Sequence, residues 1–216
     1  MHGTAAAKPA PRKKSRKAFW LKQLHTWHWV SSAISLIGLL LFAITGFTLN
    51  HAAEIEGSPV TVEKKVQLPA PLLASIGPDD LPDTKKPLPG PVADWVQANL
   101  PVTRATGEAE WSSDEIYLAL PRPGGDGWVA IDRETGEVTN ETTSRGWIAW
   151  FNDLHKGRNA GIVWKWFIDI FVVACLIFSL TGLVLLQLHA RHRPSTWPLV
   201  AAGLIIPAIL AVYFIH

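Results

Sequence analysis

Six histidines flank the long apolar stretches of this 216-residue chain, and imidazole is the commonest metal-binding side chain in proteins. They are His25, His28, His51, His155, His189 and His192. His28 and His51 are 23 residues apart, about 35 Å along a helix, so they cannot share one metal. The spacing therefore predicts two sets. One combines either of the first two histidines with either of the last two, and the other combines His51 with His155. A histidine at a membrane border also serves as a plain polar side chain, so that interpretation stays open.

A single cysteine, Cys175, excludes several other chemistries. The chain cannot form an internal disulfide, a Cys-x-x-Cys redox pair, a Cys-x-x-Cys-His haem attachment, a cysteine-ligated iron–sulfur cluster or a zinc knuckle. Charged residues make up 18% and apolar residues 48%, which excludes a disordered chain, a collagen and a coiled coil. Histidine is left as the main metal-binding residue type.

Three apolar stretches are long enough to position these histidines at the two surfaces of a membrane. Residues 30–49 carry no charge over 20 residues, residues 167–188 are interrupted only by Asp169, and residues 199–215 contain Pro207. About 20 apolar residues cross a bilayer as a helix, so three transmembrane helices are predicted. The first stretch exceeds the ~7–15 residues of a signal-peptide core, and no A-x-A site follows it. It is interpreted as an uncleaved anchor.

The formal net charge of +2 combines two strongly charged segments of opposite sign. Residues 1–26 contain seven basic side chains and no acid, whereas 17 of the 18 acids lie in residues 54–153. A basic terminus alone could indicate nucleic-acid binding, but the apolar stretch after it favours a membrane and no nucleic acid. The positive-inside rule then places the N-terminus and the turn with Arg191 and Arg193 in the cytoplasm.

The predicted organisation has six segments. They are a basic cytoplasmic tail (1–26), transmembrane helix 1 (27–51), a periplasmic region (52–160), transmembrane helix 2 (161–190), a cytoplasmic turn (191–198) and transmembrane helix 3 (199–216) with a periplasmic C-terminus. The fold class is α-helical membrane protein with a small α+β domain.

The region outside the membrane begins with a proline-rich connector and continues as a helix with strands. Seven prolines in residues 69–91 exclude long helices and central strands, and they favour an extended linker. Apolar spacing predicts a helix over 91–100, and strands are predicted at 103–111, 115–120 and 128–132. The glycine tract 124–127 predicts a hairpin connection, and a turn at 132–138 leads to a fourth strand.

The helix and strands that close on residues 129–138 resemble the PepSY module. The membrane segments resemble the PepSY-associated transmembrane helix family, especially its short members. The matching motifs are 24–28 (Leu-His-Thr-Trp-His), 45–51 (Thr-Gly-Phe-Thr-Leu-Asn-His), 153–157 (Asp-Leu-His-Lys-Gly), and Asp169 with 180–183 (Leu-Thr-Gly-Leu). The resemblance covers the chain except its basic tail, its proline-rich connector and its last helix.

This resemblance implies a haem-containing electron carrier of the bacterial inner membrane that reduces ferric iron or a ferric siderophore. One or two haem b groups per chain are expected, with axial ligands among His25, His28, His51, His155 and His189. Because His25 and His28 are three residues apart, one of them is expected to serve the propionates or to orient the haem. Small residues on the helices (Gly38, Gly46 and Gly182) would let backbone approach the porphyrin. Thr45 and Thr181 are expected to bond their own backbone.

Partners follow from the same interpretation. The electron donor would be a quinol or a reductase, because no Gly-x-Gly-x-x-Gly flavin or nicotinamide motif follows a strand. A homodimer is expected, since three helices form a thin bundle around a haem. Two alternatives stay open: a membrane-anchored PepSY interaction module without redox activity, and a metal-transport accessory protein.

Overall fold

The computed structural model describes residues 16–55, 57–77, 83–103 and 105–215. Four of the seven basic residues predicted to hold the N-terminus in the cytoplasm (Lys8, Arg12, Lys13 and Lys14) lie outside this part of the chain, as does the terminal His216. The chain divides into two compact units. The helical unit contains residues up to 40 and from 169 onward, and the sheet unit contains residues 41–168.

Along the described part of the chain, the strands follow the first long helix in sequence and precede the last two. The helices are α1 (Arg16–Asn50), α2 (Ala52–Ile55), α3 (Ala70–Ala74), α4 (Gly90–Asn99), α5 (Gly146–His155), α6 (Gly161–His189) and α7 (Thr196–Phe214), with a 3-10 turn at Ala190–His192 between the last two. The strands are β1 (Val60–Gln67), β2 (Thr84–Pro87), β3 (Glu108–Trp111), β4 (Glu115–Ala119), β5 (Gly125–Asp132) and β6 (Glu137–Ser144).

Three helices among the described residues are long and apolar enough to cross a membrane, as predicted: α1, α6 with the 3-10 turn after it, and α7. Their apolar side chains are largely exposed, which suits lipid because the helix satisfies its backbone hydrogen bonds internally. Helix α1 begins at Arg16, N-terminal of the predicted span 27–51, and α7 begins at Thr196, before the predicted span 199–216. The periplasmic placement of residues 52–160 stays a prediction.

Within the helical unit, small residues let α1 and α6 approach closely. A Cβ added to Gly38 would overlap the ring of Phe171. The buried hydroxyl of Ser35 donates to the Ser31 carbonyl at 2.7 Å, so a polar side chain is satisfied inside an apolar seam. Gly38 therefore serves helix–helix contact, as small residues commonly do in membranes.

The sheet unit is built on six antiparallel strands in the order β1-β6-β5-β4-β3-β2. Alternate residues of the central strands point to one face, for example Ile116 and Leu118 on β4, and pack with Val92 and Val96 of α4. The predicted helix at 91–100 and the predicted α+β domain are therefore confirmed.

Two predictions about this unit are wrong in detail. The hairpin predicted at the glycine tract 124–127 does join β4 to β5, but its connection covers residues 120–124, so only Gly124 of the tract belongs to it. Gly125 begins β5, where an added Cβ would collide with the Thr143 carbonyl of β6, so these glycines permit close strand pairing. The connector 69–91 is not wholly extended, because α3 and the edge strand β2 lie within it; both are short, as its prolines require.

A buried arginine fastens the loops of the sheet unit. Arg133, predicted only as part of a turn, is 2% exposed. Its guanidinium donates to the backbone carbonyls of Ile76, Gly77 and Ser112 and stacks on Trp111. These acceptors compensate for the cost of burying the charge and fix the segments around residues 76–77 and 112.

Candidate functional site

The His28 site lies where α1 packs on α6. The His28 ring stacks on Phe178 with centroids 5.0 Å apart and an interplanar angle of 16°. Its Nδ1 lies 3.0 Å from Thr181 Oγ1 and 3.2 Å from the Phe178 carbonyl oxygen. The helical unit therefore holds this imidazole by one ring contact and by polar atoms of α6.

Thr181 decides which nitrogen of His28 carries the proton. Its hydroxyl donates to the Ile177 carbonyl at 2.6 Å, which confirms the expected bond to its own backbone. With its hydrogen used there, Thr181 Oγ1 accepts from His28 Nδ1–H, and the Phe178 carbonyl can only accept. The lone pair of the neutral imidazole is then on Nε2. Metal-binding histidines are commonly oriented in this way, with the other ring nitrogen donating to an oxygen.

His28 opens on a groove of about 860 Å³, within the ~300–1,000 Å³ usual for ligand pockets. The apolar part of its lining includes Phe178, Gly182, Leu183 and Leu186, all from α6. The polar part includes His28, His189, His192, Arg193 and Thr196. The structure thus brings together His28 and His189, two of the predicted ligands.

His189 has the same tautomer as His28. Its Nδ1 lies 2.8 Å from the Leu185 carbonyl oxygen, which can only accept, so Nε2 carries the lone pair. Gly182 keeps the groove open beside the His28 ring, since a Cβ at position 182 would lie 3.3 Å from His28 Cε1. His25 is exposed and is not among the residues that line the groove.

The His155 site lies in the sheet unit, where α5 meets the last turns of α1. His155 Nδ1 is 2.7 Å from Thr45 Oγ1, and the ring lies 4.9 Å from that of Phe42 at an angle of 42°. The Thr45 hydroxyl donates to the Leu41 carbonyl at 2.8 Å, as expected, so it accepts from His155 Nδ1–H. A Cβ added to Gly46 would lie 3.5 Å from His155 Cε1.

His51 directly follows the last residue of α1, on a different side of the helix axis from the residues that contact His155. Its Nδ1 donates to the Phe47 carbonyl at 3.0 Å, and its ring lies 4.5 Å from the Phe47 ring. Six residues separate Thr45 from His51, which turns the second side chain about 120° around the helix. The pairing of His51 with His155 stays a prediction, while the donation fixes its lone pair on Nε2 as well.

Helix α5 is tied to α1 and to the sheet by the residues just before His155. The Thr48 hydroxyl lies 2.8 Å from Asn152 Oδ1, and Asp153 Oδ2 accepts the Gly124 N–H at 2.9 Å. Asn152 and Asp153 are 1% and 5% exposed; the Asp153 contact is buried and the Thr48 contact is partly buried. Asn152 Nδ2 is the one buried side-chain nitrogen or oxygen without a hydrogen-bond partner in the described part of the chain.

The two sites repeat one short pattern. Phe42-x-x-Thr45-Gly46 and Phe178-x-x-Thr181-Gly182 each receive one histidine from another helix, and each presents ring, hydroxyl and open glycine to it. The threonine-to-histidine bonds were missed from the sequence. The recurrence of Phe-x-x-Thr-Gly near the ends of two membrane helices is the signal that could have found them.

His28 and His189 thus bring two imidazoles to one largely apolar groove, and imidazole is a common axial ligand of haem iron. A site for a bare metal ion is a different case. Among the described residues, no group of three or more His, Cys, Asp or Glu side chains could hold a metal ion.

A comparison with protein families matches residues 19–216 to the family described as PepSY_TM-like. The match includes the proline-rich connector and the last helix, which the resemblance drawn from motifs left out. No curated protein and no solved structure matches the chain.

Proposed function

The chain belongs to the PepSY_TM-like family, and from this membership and the His28 groove we propose a haem-b electron-transfer function. The protein would lie in the bacterial inner membrane with its N-terminus in the cytoplasm. It would reduce ferric iron or a ferric siderophore on the periplasmic side. Membrane lipid would surround the three helices, and a quinol or a reductase would supply electrons. A homodimer would place more helices around the haem than one chain provides.

One observation carries the proposal: His28 and His189 line the same apolar groove, and each is fixed with its lone pair on Nε2. A bound haem b would supply a one-electron iron couple in this groove. His28 and His189 would hold it, Thr181 would keep His28 in the binding tautomer, and Gly182 would leave room for a planar ligand. The apolar wall would exclude water.

The His155 site would serve the exit of electrons toward the ferric complex. His155 has the same tautomer and the same threonine support as His28, and His51 adds a second Nε2 lone pair in the sheet unit. These histidines would hold a second haem or border the ferric substrate. The first option gives two haems per chain, and the second gives one.

The absorbance spectrum tests the proposal. The protein is expressed with haem supplied, purified in detergent and measured before and after dithionite; a Soret band and a reduced α-band are expected. His28→Ala and His189→Ala should lose the haem of the groove. His25→Ala is the matched control, because the exposed His25 lies on the same helix one turn from His28 and does not line the groove.

Two outcomes would contradict the proposal. One is the absence of any haem band in the wild-type protein. The other is an unchanged haem content in all of the His28, His51, His155 and His189 variants, which would remove the ligand assignment even if haem is present.

A membrane-anchored interaction module is the second candidate, and the outward face of the sheet favours it. Tyr117 and Trp128 stack there with centroids 5.9 Å apart. Burial raises the pKa of Tyr117, and the surrounding carboxylates, Glu110 first, raise it further. An aromatic pair among acids suits a cationic protein partner. A protein that lacks haem but retains a specific partner in crosslinking would favour this function.

A metal-transport accessory function has less support. It would require a cluster of ligands for a bare ion, and the described residues contain no such cluster of three. Binding of Zn²⁺ or Fe²⁺ by the haem-free protein at micromolar concentration would reinstate it.

A further inference from the structure

The His28 groove changes character along α6. Its apolar lining comes from the stretch that ends at Leu186, whereas His189, His192, Arg193 and Thr196 follow one another beyond that stretch. Phe178 and His189 are 11 residues apart, about 16 Å along the helix. A ligand that fills this groove would therefore be apolar at one edge and would meet Arg193 and polar side chains at the other.

The cationic end has almost no acid to pair with in its own unit. Residues 1–53 and 170–216 contain no Asp or Glu, so Asp169 is the only acidic side chain of the helical unit. Asp169 and His189 are 20 residues apart on α6, about 30 Å. Arg193 is permanently charged and presents a planar fork that matches a carboxylate.

The start of α7 adds to the positive potential at this end. The helix begins at Thr196, which lines the groove, and 19 residues of aligned peptide dipoles place partial positive charge at that terminus. His192 lies just before the helix, at the end of the 3-10 turn. A permanently charged arginine, an imidazole and the N-terminus of a helix thus lie at one end of an apolar groove.

We propose that Arg193, with His192, binds the propionate carboxylates of the haem. The carboxylate edge of the porphyrin then faces the turn at residues 192–196, and its apolar edge lies along the wall that includes Gly182 and Leu183. The inference rests on the proposed function, because it concerns the orientation of the same haem. It also replaces the expectation that His25 or His28 serves the propionates: His28 is bonded to Thr181, and His25 is exposed.

The test compares two porphyrins that differ at this edge, where one carries two carboxylates and the other two uncharged methyl esters. Haem-free full-length protein in detergent is titrated with iron protoporphyrin IX and with its dimethyl ester, and affinity is measured from the Soret band. Wild-type protein is expected to bind the free acid about ten-fold or more tightly, as charge-assisted hydrogen bonds would give. Arg193→Gln should lower the affinity for the acid to that for the ester, and Arg193→Lys should restore part of the difference.

The ester affinity of the Arg193→Gln variant is the internal control for folding, because it should equal that of the wild type. Arg191→Gln is the matched control, since Arg191 is two residues away and does not line the groove. It should keep the preference for the acid.

The outcomes separate this inference from the function on which it rests. If neither porphyrin gives a Soret band, the proposed function fails and this inference with it. If wild-type protein binds acid and ester equally, the function stands and the propionate assignment is wrong. An equal loss in the Arg191→Gln and Arg193→Gln variants also overturns it, because it would indicate a general attraction between arginines and anions, such as lipid phosphates.

Discussion

The His28 site and the His155 site present the same chemical groups on two different supports. In both, a threonine hydroxyl accepts from histidine Nδ1, a phenylalanine packs on the ring, and a glycine leaves space at Cε1. His28 belongs to a long membrane helix, whereas His155 ends a ten-residue helix that is bonded to the sheet through Asp153. The threonine therefore fixes the tautomer of each histidine. The element that carries the histidine decides which other contacts can shift the imidazole.

Removing the threonine hydroxyls should give the largest effect and should act at both sites. Thr181→Val and Thr45→Val each retain the shape but lose the acceptor for Nδ1–H. Loss of such an outer contact typically lowers metal affinity about 10–100-fold. Haem titration measures the change, and Thr→Ser at either position should preserve affinity. If the valine variants bind like the wild type, the shared role of the two threonines is wrong.

Breaking the link between α5 and the sheet should disturb the His155 site and leave the His28 site unchanged. Asp153→Ala leaves the Gly124 N–H without its acceptor, which costs about 1–3 kcal/mol in unfolding free energy. Gly124→Ala should act in the same direction, because its φ is +70° and a Cβ would lie 2.7 Å from the Trp150 backbone.

Denaturation of the sheet unit and the NMR signal of the His155 Nδ1–H measure these two changes. The Nδ1–H signal of His28 should stay unchanged in the same samples. A shift at both histidines would show that the link is not specific to the His155 site.

Substituting the two glycines that face the histidine rings should change haem binding by a smaller amount. A Cβ at position 182 would lie 3.3 Å from His28, whereas a Cβ at position 46 would lie 3.5 Å from His155. Gly46→Ala is therefore expected to be tolerated, and Gly182→Ala to displace its ring slightly and weaken haem binding less than ten-fold. Haem titration of the two variants, followed at the Soret band, measures the difference. A larger effect at Gly46 would reverse the ranking of the two sites.

Acid should destabilise the sheet unit through one exposed turn. Asp132 Oδ1 accepts the N–H groups of Thr135 and Glu134, and these bonds, that from Thr135 first, lower the pKa of Asp132. Its contribution to stability is complete above the ordinary carboxyl pKa of about 3.9 and is lost as pH falls through the lowered value. Asp132→Asn should flatten this dependence in acid unfolding followed by Trp fluorescence. An unchanged slope would assign it to other carboxylates, such as Asp114.

The sequence predicted the elements better than it predicted their contacts. Uncharged length identified the three membrane helices, and apolar periodicity identified α4 and the central strands. Strand β1 was missed although Val60, Val62 and Val66 alternate with polar residues, because Lys64 interrupts the pattern and the strand lies exposed at the sheet edge. Helix α5 was also missed, since no element was predicted between the fourth strand and the second membrane helix.

The candidate site was predicted in its residue types and only partly in its geometry. Border positions placed His28, His155 and His189 among five predicted ligands, together with His25 and His51. Which hydroxyl meets which imidazole depends on how helices distant in sequence pack, and no spacing within one helix encodes that. His192 was not among the predicted axial ligands, and its place beside Arg193 at the end of the groove became evident only from the turn between α6 and α7.

The burial of Arg133 makes it a built-in reporter for proteolysis. Trypsin cleaves after arginine, but it cannot reach a side chain that is 2% exposed and held by the carbonyls of Ile76, Gly77 and Ser112. Cleavage after residue 133 therefore requires the sheet to open first. When opening and closing are fast relative to cleavage, the rate at that one bond gives the opening free energy of the sheet unit in intact membranes, without denaturant or detergent extraction.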